Sequence, residues 1–377
     1  MRIVSIEPTP SPNSMKINVD ESLPMSEAYN YTKDGEVSTF PSPIKELFDI
    51  DGVKGIYHVM DFLALERHPK VSWEEILPEV RHVLGSDEDT QHEKTEEKEV
   101  PEENFGEIQV FIQKFRNIPM QIKLIDGEEE TRVGLPERFM NAAMEASAAS
   151  ENMIMERKWV EETARYGDPE EIGEQVKEEI SASYDEERLR QLVTLAFRDE
   201  KEERGTPVTL ETLDDPDWKV RYQALDQMDP TLDDLPVLHK ALHDQKASIR
   251  RLATAYLGMI EEEEVLPYLY EALNDKTVTV RRTAGDCISD VGSTKAMPYM
   301  IESLKDPSKI VRWRAAMYLY EVGDETALPA LREAKDDPEF EVRLQIRMAL
   351  ERIEGGKEAE GSVWHQMTQA TKAKENN

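Results

Sequence analysis

Cysteine is almost absent from this chain: Cys287 is the one cysteine among 377 residues. A single thiol excludes an intrachain disulfide, and it excludes any metal or cluster site that takes two thiolates from one chain. Because the low count fits a reducing compartment, we expect a cytoplasmic protein. We interpret Cys287 itself as a buried small apolar residue, since it lies at a helical position where related segments hold tyrosine or alanine.

Long apolar runs are absent from the sequence, and acidic residues outnumber basic ones. No stretch approaches the roughly 18 consecutive apolar residues of a membrane-spanning helix, and residues 1–10 lack an apolar run of signal-peptide length. The chain has 46 lysines and arginines against 79 acidic residues, for a net charge of −33. Because non-specific binding to nucleic acid or to an anionic membrane needs a basic surface, we expect neither partner.

The acidic excess is densest between residues 86 and 104. That segment holds nine acidic residues and two lysines, with almost no apolar side chains. Such a composition cannot bury enough apolar surface to order a chain, so residues 86–104 are predicted to be a disordered linker. The linker separates residues 1–85 from residues 105–203, and we expect residues 356–377 to form a flexible tail.

The strongest pattern in the sequence is a repeat. A Val-Arg or Ile-Arg pair recurs five times, with 29 residues between the first two arginines and 31 between each later pair. An aspartate precedes each arginine by six residues, and a proline precedes it by fourteen. The aspartate–arginine ladder consists of Asp215 and Arg221, Asp244 and Arg250, Asp275 and Arg281, Asp306 and Arg312, and Asp337 and Arg343. The prolines are Pro207, Pro236, Pro267, Pro298 and Pro329.

Each marker of the repeat has a physical role. Proline is tolerated in the first turn of a helix, so it marks the start of a helix A in each unit. The aspartate follows helix A, where its carboxylate can cap a helix B. Helix B then carries one apolar stripe, as in Val280, Ala284 and Ile288. Residues 204–355 are therefore predicted to form an all-α solenoid of about five helix pairs.

The arginines leave two compatible interpretations open. In one, each ladder arginine pairs with an aspartate of its own or the next unit and ties turns to helices. In the other, helix B also presents a docking row for a protein partner, because aromatic residues and arginines, the types enriched in binding hot spots, follow the ladder arginines. This aromatic–arginine row comprises Tyr222, Arg251, Arg282, Trp313 and Arg314, with Leu344 at the last equivalent position.

The repeat resembles HEAT-like repeats of the bilin-lyase type, a resemblance that covers about 150 residues and implies an architecture rather than a function. Di-iron hydroxylases of this architecture carry repeated His-Glu pairs. The one His-Glu of this chain, His92-Glu93, falls in the acidic linker. We therefore expect a protein that is not an enzyme and that has no catalytic, metal-binding or cofactor-binding residues.

Residues 1–85 are predicted to form a small α+β domain. They resemble the N-terminal domain of Nfu-type iron–sulfur scaffold proteins. The resemblance rests on Glu7–Asn13, Pro43 with Leu47-Phe48, Ile50 with Gly52-Val53 and Ile56, Asp61-Phe62, and Trp73 with Ile76 and Pro78. In that family a separate C-terminal domain holds the cluster through Cys-x-x-Cys, and this chain has no such motif. The resemblance therefore implies a protein-docking domain, while the proline-rich loop can also be a structural turn.

Residues 105–203 are predicted to form a small α+β unit that continues into helices near 169–183 and 185–198. The order of an Nfu-like domain, a small middle domain and HEAT-like repeats resembles the conserved virulence factor C family of Gram-positive bacteria. That resemblance implies an accessory, non-catalytic cytoplasmic role that affects virulence-related output. We predict a scaffold or adaptor for protein partners, with iron–sulfur machinery or its clients as candidates. The alternative is an accessory factor in iron–sulfur cluster assembly or transfer.

Two smaller sequence features involve histidine and methionine. His239 and His243 share a helix face at i, i+4, but a metal chelate needs a third ligand, so we interpret them as a surface pair. Met140, Met144, Met153 and Met155 are predicted to belong to a core rather than to a binding groove.

Overall fold

The computed structural model describes residues 1–9, 11–24, 27–33, 37–85, 107–127, 129–198, 200, 205 and 207–356. The predicted linker, residues 86–104, and nearly all of the predicted tail lie outside the described residues. The described chain divides into two compact units. One contains the residues up to Gly85 together with those from Met300 onward, and the other contains the residues from Glu107 to Tyr299.

The N-terminal domain is a five-stranded antiparallel sheet with two helices. Its strands β1 to β5 span Ile3–Pro8, Ser14–Val19, Ala28–Thr32, Val53–Val59 and Phe62–Arg67. They are arranged in the order β1-β2-β5-β4-β3. Helices α1 and α2 span Ser42–Phe48 and Trp73–Leu84, and the Ser72 hydroxyl caps α2 by accepting from the Glu74 N–H at 3.1 Å. The predicted α+β class is confirmed.

The middle domain is a four-stranded antiparallel sheet covered by helices. Strands β6 to β9 span Glu107–Phe115, Ile118–Asp126, Glu129–Gly134 and Lys158–Tyr166, in the order β8-β7-β6-β9. Helices α3 to α6 span Glu137–Ala146, Met153–Glu156, Pro169–Ser183 and Glu186–Arg198. Alternate residues of β6, such as Ile108 and Val110, are buried against Phe139 of α3 and Ile172 of α5.

The C-terminal region consists of helices α7 to α15, as the repeat predicts. They span Trp218–Asp226, Leu235–Leu242, Ala247–Ile260, Leu266–Ala272, Val278–Val291, Met297–Ser303, Lys309–Val322, Leu328–Ala334 and Phe340–Glu354. The four later prolines are each the second residue of a helix A, namely α8, α10, α12 and α14. Val280, Ala284 and Ile288 of α11 are fully buried, so the apolar stripe faces inward.

The first repeat departs from the pattern. A short 3-10 turn, Thr212–Asp214, replaces the helix A expected to begin at Pro207. The side chains of Thr209 and Thr212 bond each other at 3.1 Å, and the Thr209 hydroxyl accepts from the Thr212 N–H at 3.3 Å. Threonine side chains that bond local backbone compete with helix formation, which accounts for the turn.

Candidate interaction surfaces

Each of the five ladder aspartates forms the same kind of turn. In each repeat the carboxylate accepts a hydrogen bond from the backbone N–H two residues later, directly before helix B. The five N···O distances are 2.8 Å at Asp215, 2.8 Å at Asp244, 2.7 Å at Asp275, 2.8 Å at Asp306 and 2.9 Å at Asp337. The aspartate is thus not the capping residue of helix B; it orders the turn that leads to it.

The ladder arginines lie across these turns. Arg221 donates from Nη1 to the Asp215 carbonyl at 2.6 Å, and from Nε and Nη2 to both carboxylate oxygens of Asp244 at 2.7 and 2.9 Å. Arg250 repeats the two-point contact with Asp275, and Arg312 repeats it with Asp337. Arg281 and Arg343 also donate to the carbonyls of their own aspartates. Such forked, largely buried pairs fix the register between successive turns.

In the second unit, the aromatic–arginine row faces the middle domain. Arg251 donates to Glu179 of α5 at 3.1 Å, and Arg165 of β9 donates to the same carboxylate at 2.7 Å. Tyr222 is buried beside them. Burial by itself raises the pKa of Glu179, but Arg251 and Arg165 outweigh it and lower the pKa to about 2.

Arg282 makes the next contact in the row. Its Nη2 donates to the Tyr166 hydroxyl at 3.1 Å, and its guanidinium lies 4.9 Å from the centre of the Tyr166 ring. The same side chain also pairs with Asp286 one helical turn later. A buried guanidinium stacked on an aromatic ring is a desolvated cation–π contact, so Arg282 connects α11 to the end of β9.

In the first unit, the row faces the N-terminal domain. Trp313 is only 3% exposed, and it lines a shallow cavity with Pro8, Pro12, Trp73 and Leu344. Its neighbour Arg314 is also buried, with its guanidinium 5.2 Å from the Trp313 ring. Apolar side chains of α15 pack against the core of the N-terminal domain: Phe340, Leu344 and Met348.

A salt bridge borders this apolar contact. Arg67, the last residue of β5, is buried and donates to Glu341 of α15 at 2.9 Å. The same Nη1 atom donates to the Val71 carbonyl at 2.8 Å, and the guanidinium lies 5.3 Å from the Trp73 ring. The contact therefore combines aromatic packing with one well-supported ion pair.

The proline-rich loop, Glu7–Asn13, is fastened to its own domain. Trp73 donates from its indole N–H to the Pro12 carbonyl at 2.8 Å, and the Thr9 hydroxyl donates to the Ser14 carbonyl at 3.0 Å. Pro10 lies outside the described residues. The loop is thus a structured turn, and it lies against α13 and α15 through Trp313 and Leu344.

The five side chains of the row are therefore largely buried against other parts of this chain, and they do not form an open ribbon. The sequence could indicate a row of contact residues, but it could not indicate which part of the protein packs against them. Binding of Tyr222, Arg251, Arg282, Trp313 or Arg314 to a separate protein stays a prediction.

A different surface is open. The prediction that the methionines of residues 140–155 belong to a core is wrong for three of the four, since Met140, Met144 and Met155 are 47%, 60% and 78% exposed. Only Met153 packs against the core. Ile154 of α4 and Phe197 of α6 are exposed as well, and we call the set of Met140, Met144, Ile154, Met155 and Phe197 the methionine patch.

Polar contacts hold the parts of the methionine patch together. Arg116 donates to Glu156, at the end of α4, at 2.8 Å, and to the Ala196 carbonyl next to Phe197. Ser150, just beyond α3, donates to the same Glu156 at 2.6 Å. These bonds bring the ends of α3, α4 and α6 to one place. Exposed acidic residues border the patch on the same segments: Glu137, Glu145 and Glu151.

Cys287 is buried between two helices of the solenoid. The thiol is buried in α11, and a Cβ atom added at Gly258 of α9 would lie 2.3 Å from its sulfur, so the two helices are closely packed there. Burial raises the pKa of Cys287 to about 12. The interpretation of Cys287 as a small buried residue is confirmed. Separately, none of the helices in the described ranges is both long and apolar enough to cross a membrane.

Three family models match the chain. The model described as "Scaffold protein Nfu/NifU N terminal" matches residues 4–89, and the model "Virulence factor" matches residues 113–193. The model "HEAT repeats" matches residues 206–285 and 272–351.

Curated relatives match over the whole length. The "Uncharacterized protein YpgR" of Bacillus subtilis (strain 168) is 57% identical over 378 residues, which covers 99% of each chain. "Conserved virulence factor C" of Staphylococcus haemolyticus (strain JCSC1435) is 47% identical, covering 99% of this chain and 100% of the relative. The protein of the same description from Staphylococcus aureus (strain MW2) is 49% identical, covering 98% and 100%.

Proposed function

The chain belongs to the conserved virulence factor C family, and from that premise we propose that it is a non-catalytic cytoplasmic adaptor for a protein partner. In this proposal, helices B of the solenoid hold the N-terminal and middle domains in place through the aromatic–arginine row. The middle domain then presents the methionine patch to the partner. The output of the complex is virulence-related, as the names of the relatives suggest.

The observation that carries the proposal is the exposure of the methionine patch. Large apolar side chains that are exposed on neighbouring segments often mark a surface that binds another molecule. Methionine is unbranched and polarizable, so it adapts to differently shaped apolar surfaces and is common where one protein binds another. The patch lies on the domain that the "Virulence factor" model matches.

The charge around the patch supports a basic partner. Glu137, Glu145 and Glu151 border it, and the whole chain carries a net charge of −33. A partner segment with an apolar face flanked by lysines or arginines would complement both features. We therefore propose a basic amphipathic helix as the bound element.

A designed peptide tests this surface directly. The probe is a fluorescent Leu/Lys peptide of about five helical turns, and its control is a scrambled peptide of equal composition without an apolar face. We expect the full chain to bind the probe in an anisotropy titration. Met144→Lys combined with Met155→Lys should weaken binding about tenfold or more, because it places two cations in the apolar contact.

Met259 supplies the matched control, since it is an equally exposed methionine on α9, outside the patch. Met259→Lys should bind the probe like the unmodified chain. Equal binding of the scrambled peptide would show that charge alone drives the contact, and equal binding by all variants would remove the methionine patch from the proposal. The natural partner is then found by comparing crosslinked proteins between the unmodified chain and the double variant in host cytosol.

One observation favours a second function, participation in iron–sulfur cluster assembly or transfer: the match of residues 4–89 to the Nfu/NifU scaffold model. The single thiol of this chain, Cys287, is buried with its pKa raised to about 12. A cluster would therefore need thiolates from a partner. Anaerobic mixing with a cluster-loaded scaffold protein, followed by gel filtration read at the cluster absorbance, tests this. Absence of co-elution would count against a cluster role.

A further inference from the structure

Two histidines and a glutamate from successive repeats meet on the surface of the second unit. His239 lies on α8 and His243 directly follows that helix, while Glu271 lies on α10 in the next repeat. The His239 Nε2 atom is 3.1 Å from Glu271 Oε2, and the His243 Nε2 atom is 2.7 Å from Glu271 Oε1. The three potential ligand atoms all lie within 4.8 Å of one another. No other group of this kind occurs within the described part of the chain.

A hydrogen bond to the backbone fixes which ring nitrogen of His243 carries a proton. Its Nδ1 atom is 2.9 Å from the His239 carbonyl oxygen, and a carbonyl can only accept, so Nδ1 carries the proton. In the neutral ring the Nε2 lone pair then faces a carboxylate oxygen, which places two acceptors against each other. The contact is favourable only when a proton or a metal ion lies between them.

The same bond has a second consequence. Histidines that bind metals usually donate their other ring N–H to a carbonyl or carboxylate, which fixes the tautomer and orients the ligating nitrogen. His243 already has this support. His239 is held from the side, since its ring lies 5.1 Å from the Tyr268 ring and 5.0 Å from the His243 ring.

We infer that His239, His243 and Glu271 form a binding site for a divalent transition-metal ion, with Zn²⁺ as the ion that suits it best. Zinc commonly takes two imidazole nitrogens and one carboxylate oxygen, with water as the fourth ligand. A bound ion would connect α8 to α10 and so link two successive repeats. This site is independent of the methionine patch.

One N···O contact must lengthen before the three groups can hold an ion. Tetrahedral ligands at zinc distances lie about 3.4 Å apart, so the shorter N···O contact must open by roughly 0.7 Å. All three side chains are about half exposed, and small rotations of the Glu271 side chain can supply this movement. The strongly negative charge of the chain favours cations at its surface.

The repeat itself provides matched controls. Glu271 follows Pro267 by four residues, and Glu302 and Glu333 follow Pro298 and Pro329 by the same number. At the positions equivalent to His239 and His243, the third repeat holds Tyr270 and Asn274 instead, so Glu302 has no histidine pair before it. His82 of α2 is an exposed histidine outside the cluster.

The experiment uses the full chain without an affinity tag, stripped of metal with a chelator. Titration with zinc chloride against a chromogenic chelator should show one tightly bound ion per chain. His239→Ala, His243→Ala and Glu271→Gln should each weaken that affinity about tenfold or more. His82→Ala and Glu302→Gln should bind zinc like the unmodified chain.

A second measurement separates binding from folding. Circular dichroism should show unchanged helix content in each variant, because the altered side chains are exposed. Zinc should raise the melting temperature of the unmodified chain and of both controls, but not of the three cluster variants. The inference is overturned if zinc does not bind one to one. It is equally overturned if the cluster variants bind as tightly as the controls, which would place the ion on other acidic groups.

Discussion

The N-terminal and middle domains contact equivalent positions of the solenoid repeat by different chemistry. The N-terminal domain meets an apolar surface, in which Trp313, Phe340 and Leu344 face its core and the proline-rich loop. The middle domain makes a charged contact, in which Arg251 and Arg165 both pair with Glu179. One repeat position thus carries tryptophan in one unit and arginine in the other.

The same repeat position can therefore hold two domains by different kinds of contact. Apolar burial is non-directional and tolerates some mismatch, whereas a buried carboxylate between two guanidinium groups is stable only when all three are present. We therefore expect the two contacts to respond differently to truncation, to charge removal and to pH.

The largest effect is expected from Trp313→Ala. Removing a buried indole leaves a cavity between α13 and the proline-rich loop, so the free energy of unfolding should fall by about 4 kcal/mol. Urea denaturation measures this loss, and hydrogen exchange should accelerate around Pro12 and Trp73. Trp218→Ala is the control, because Trp218 is only partly buried. An equal loss in both variants would contradict the role assigned to Trp313.

Glu179→Gln should have the next largest effect. It leaves the buried guanidinium groups of Arg165 and Arg251 without their shared counter-charge, so the free energy of unfolding should fall by about 3 kcal/mol. The neighbouring Glu178 is exposed and pairs with Lys246, so Glu178→Gln should change stability by less than about 0.5 kcal/mol. Similar losses of stability in the two variants would show that Glu179 contributes no more to the free energy of unfolding than an exposed glutamate does.

Acid should distinguish the two contacts. Because the pKa of Glu179 is lowered from 4.5 to about 2 on folding, its contribution is complete above pH 4.5 and disappears as the pH falls toward 2. The stability difference between the unmodified chain and Glu179→Gln should therefore shrink over this range. The corresponding difference for Trp313→Ala should stay nearly constant. Parallel pH dependence of the two differences would contradict the comparison.

Glu341→Gln should have the smallest effect of the series. It removes the charged partner of Arg67, but Arg67 keeps its bond to the Val71 carbonyl and its contact with Trp73. We expect a loss of about 1 kcal/mol in urea denaturation, because the amide can still accept a hydrogen bond. Glu351→Gln, at an exposed position of the same helix, should be neutral. A loss as large as that of Trp313→Ala would mean that the N-terminal contact is also mainly electrostatic.

Much of the fold could be predicted because its signals are local. The phased prolines and aspartates marked the helices of the solenoid, and alternation marked strands such as β2, whose residues Met15, Ile17 and Val19 are buried. Strands β3, β8 and β9 lie at sheet edges and carry weaker signals. Their residues are mostly exposed on both faces, so no apolar alternation is needed to form them.

The candidate surfaces were harder to predict. The aromatic–arginine row was found, but the residues that cover it come from distant segments, as Arg282 and Tyr166 show at 116 positions apart. The methionines of α3 and α4 were assigned to a core because they are apolar. The sequence of a short helix does not indicate which of its faces packs against the rest of the protein. The third member of the histidine cluster, Glu271, is 32 residues from His239 and becomes adjacent only when repeats stack.

Local sequence patterns set the class of each domain and the period of the solenoid, since turns, caps and apolar stripes are specified within about 31 residues of chain. Tertiary structure alone decided which surfaces are occupied and which are open. Whether a surface is buried depends on domains that are distant in sequence. The type of a side chain does not indicate which of those domains will pack against it. The same arginine or tryptophan is a free binding residue or an internal anchor according to what packs on it.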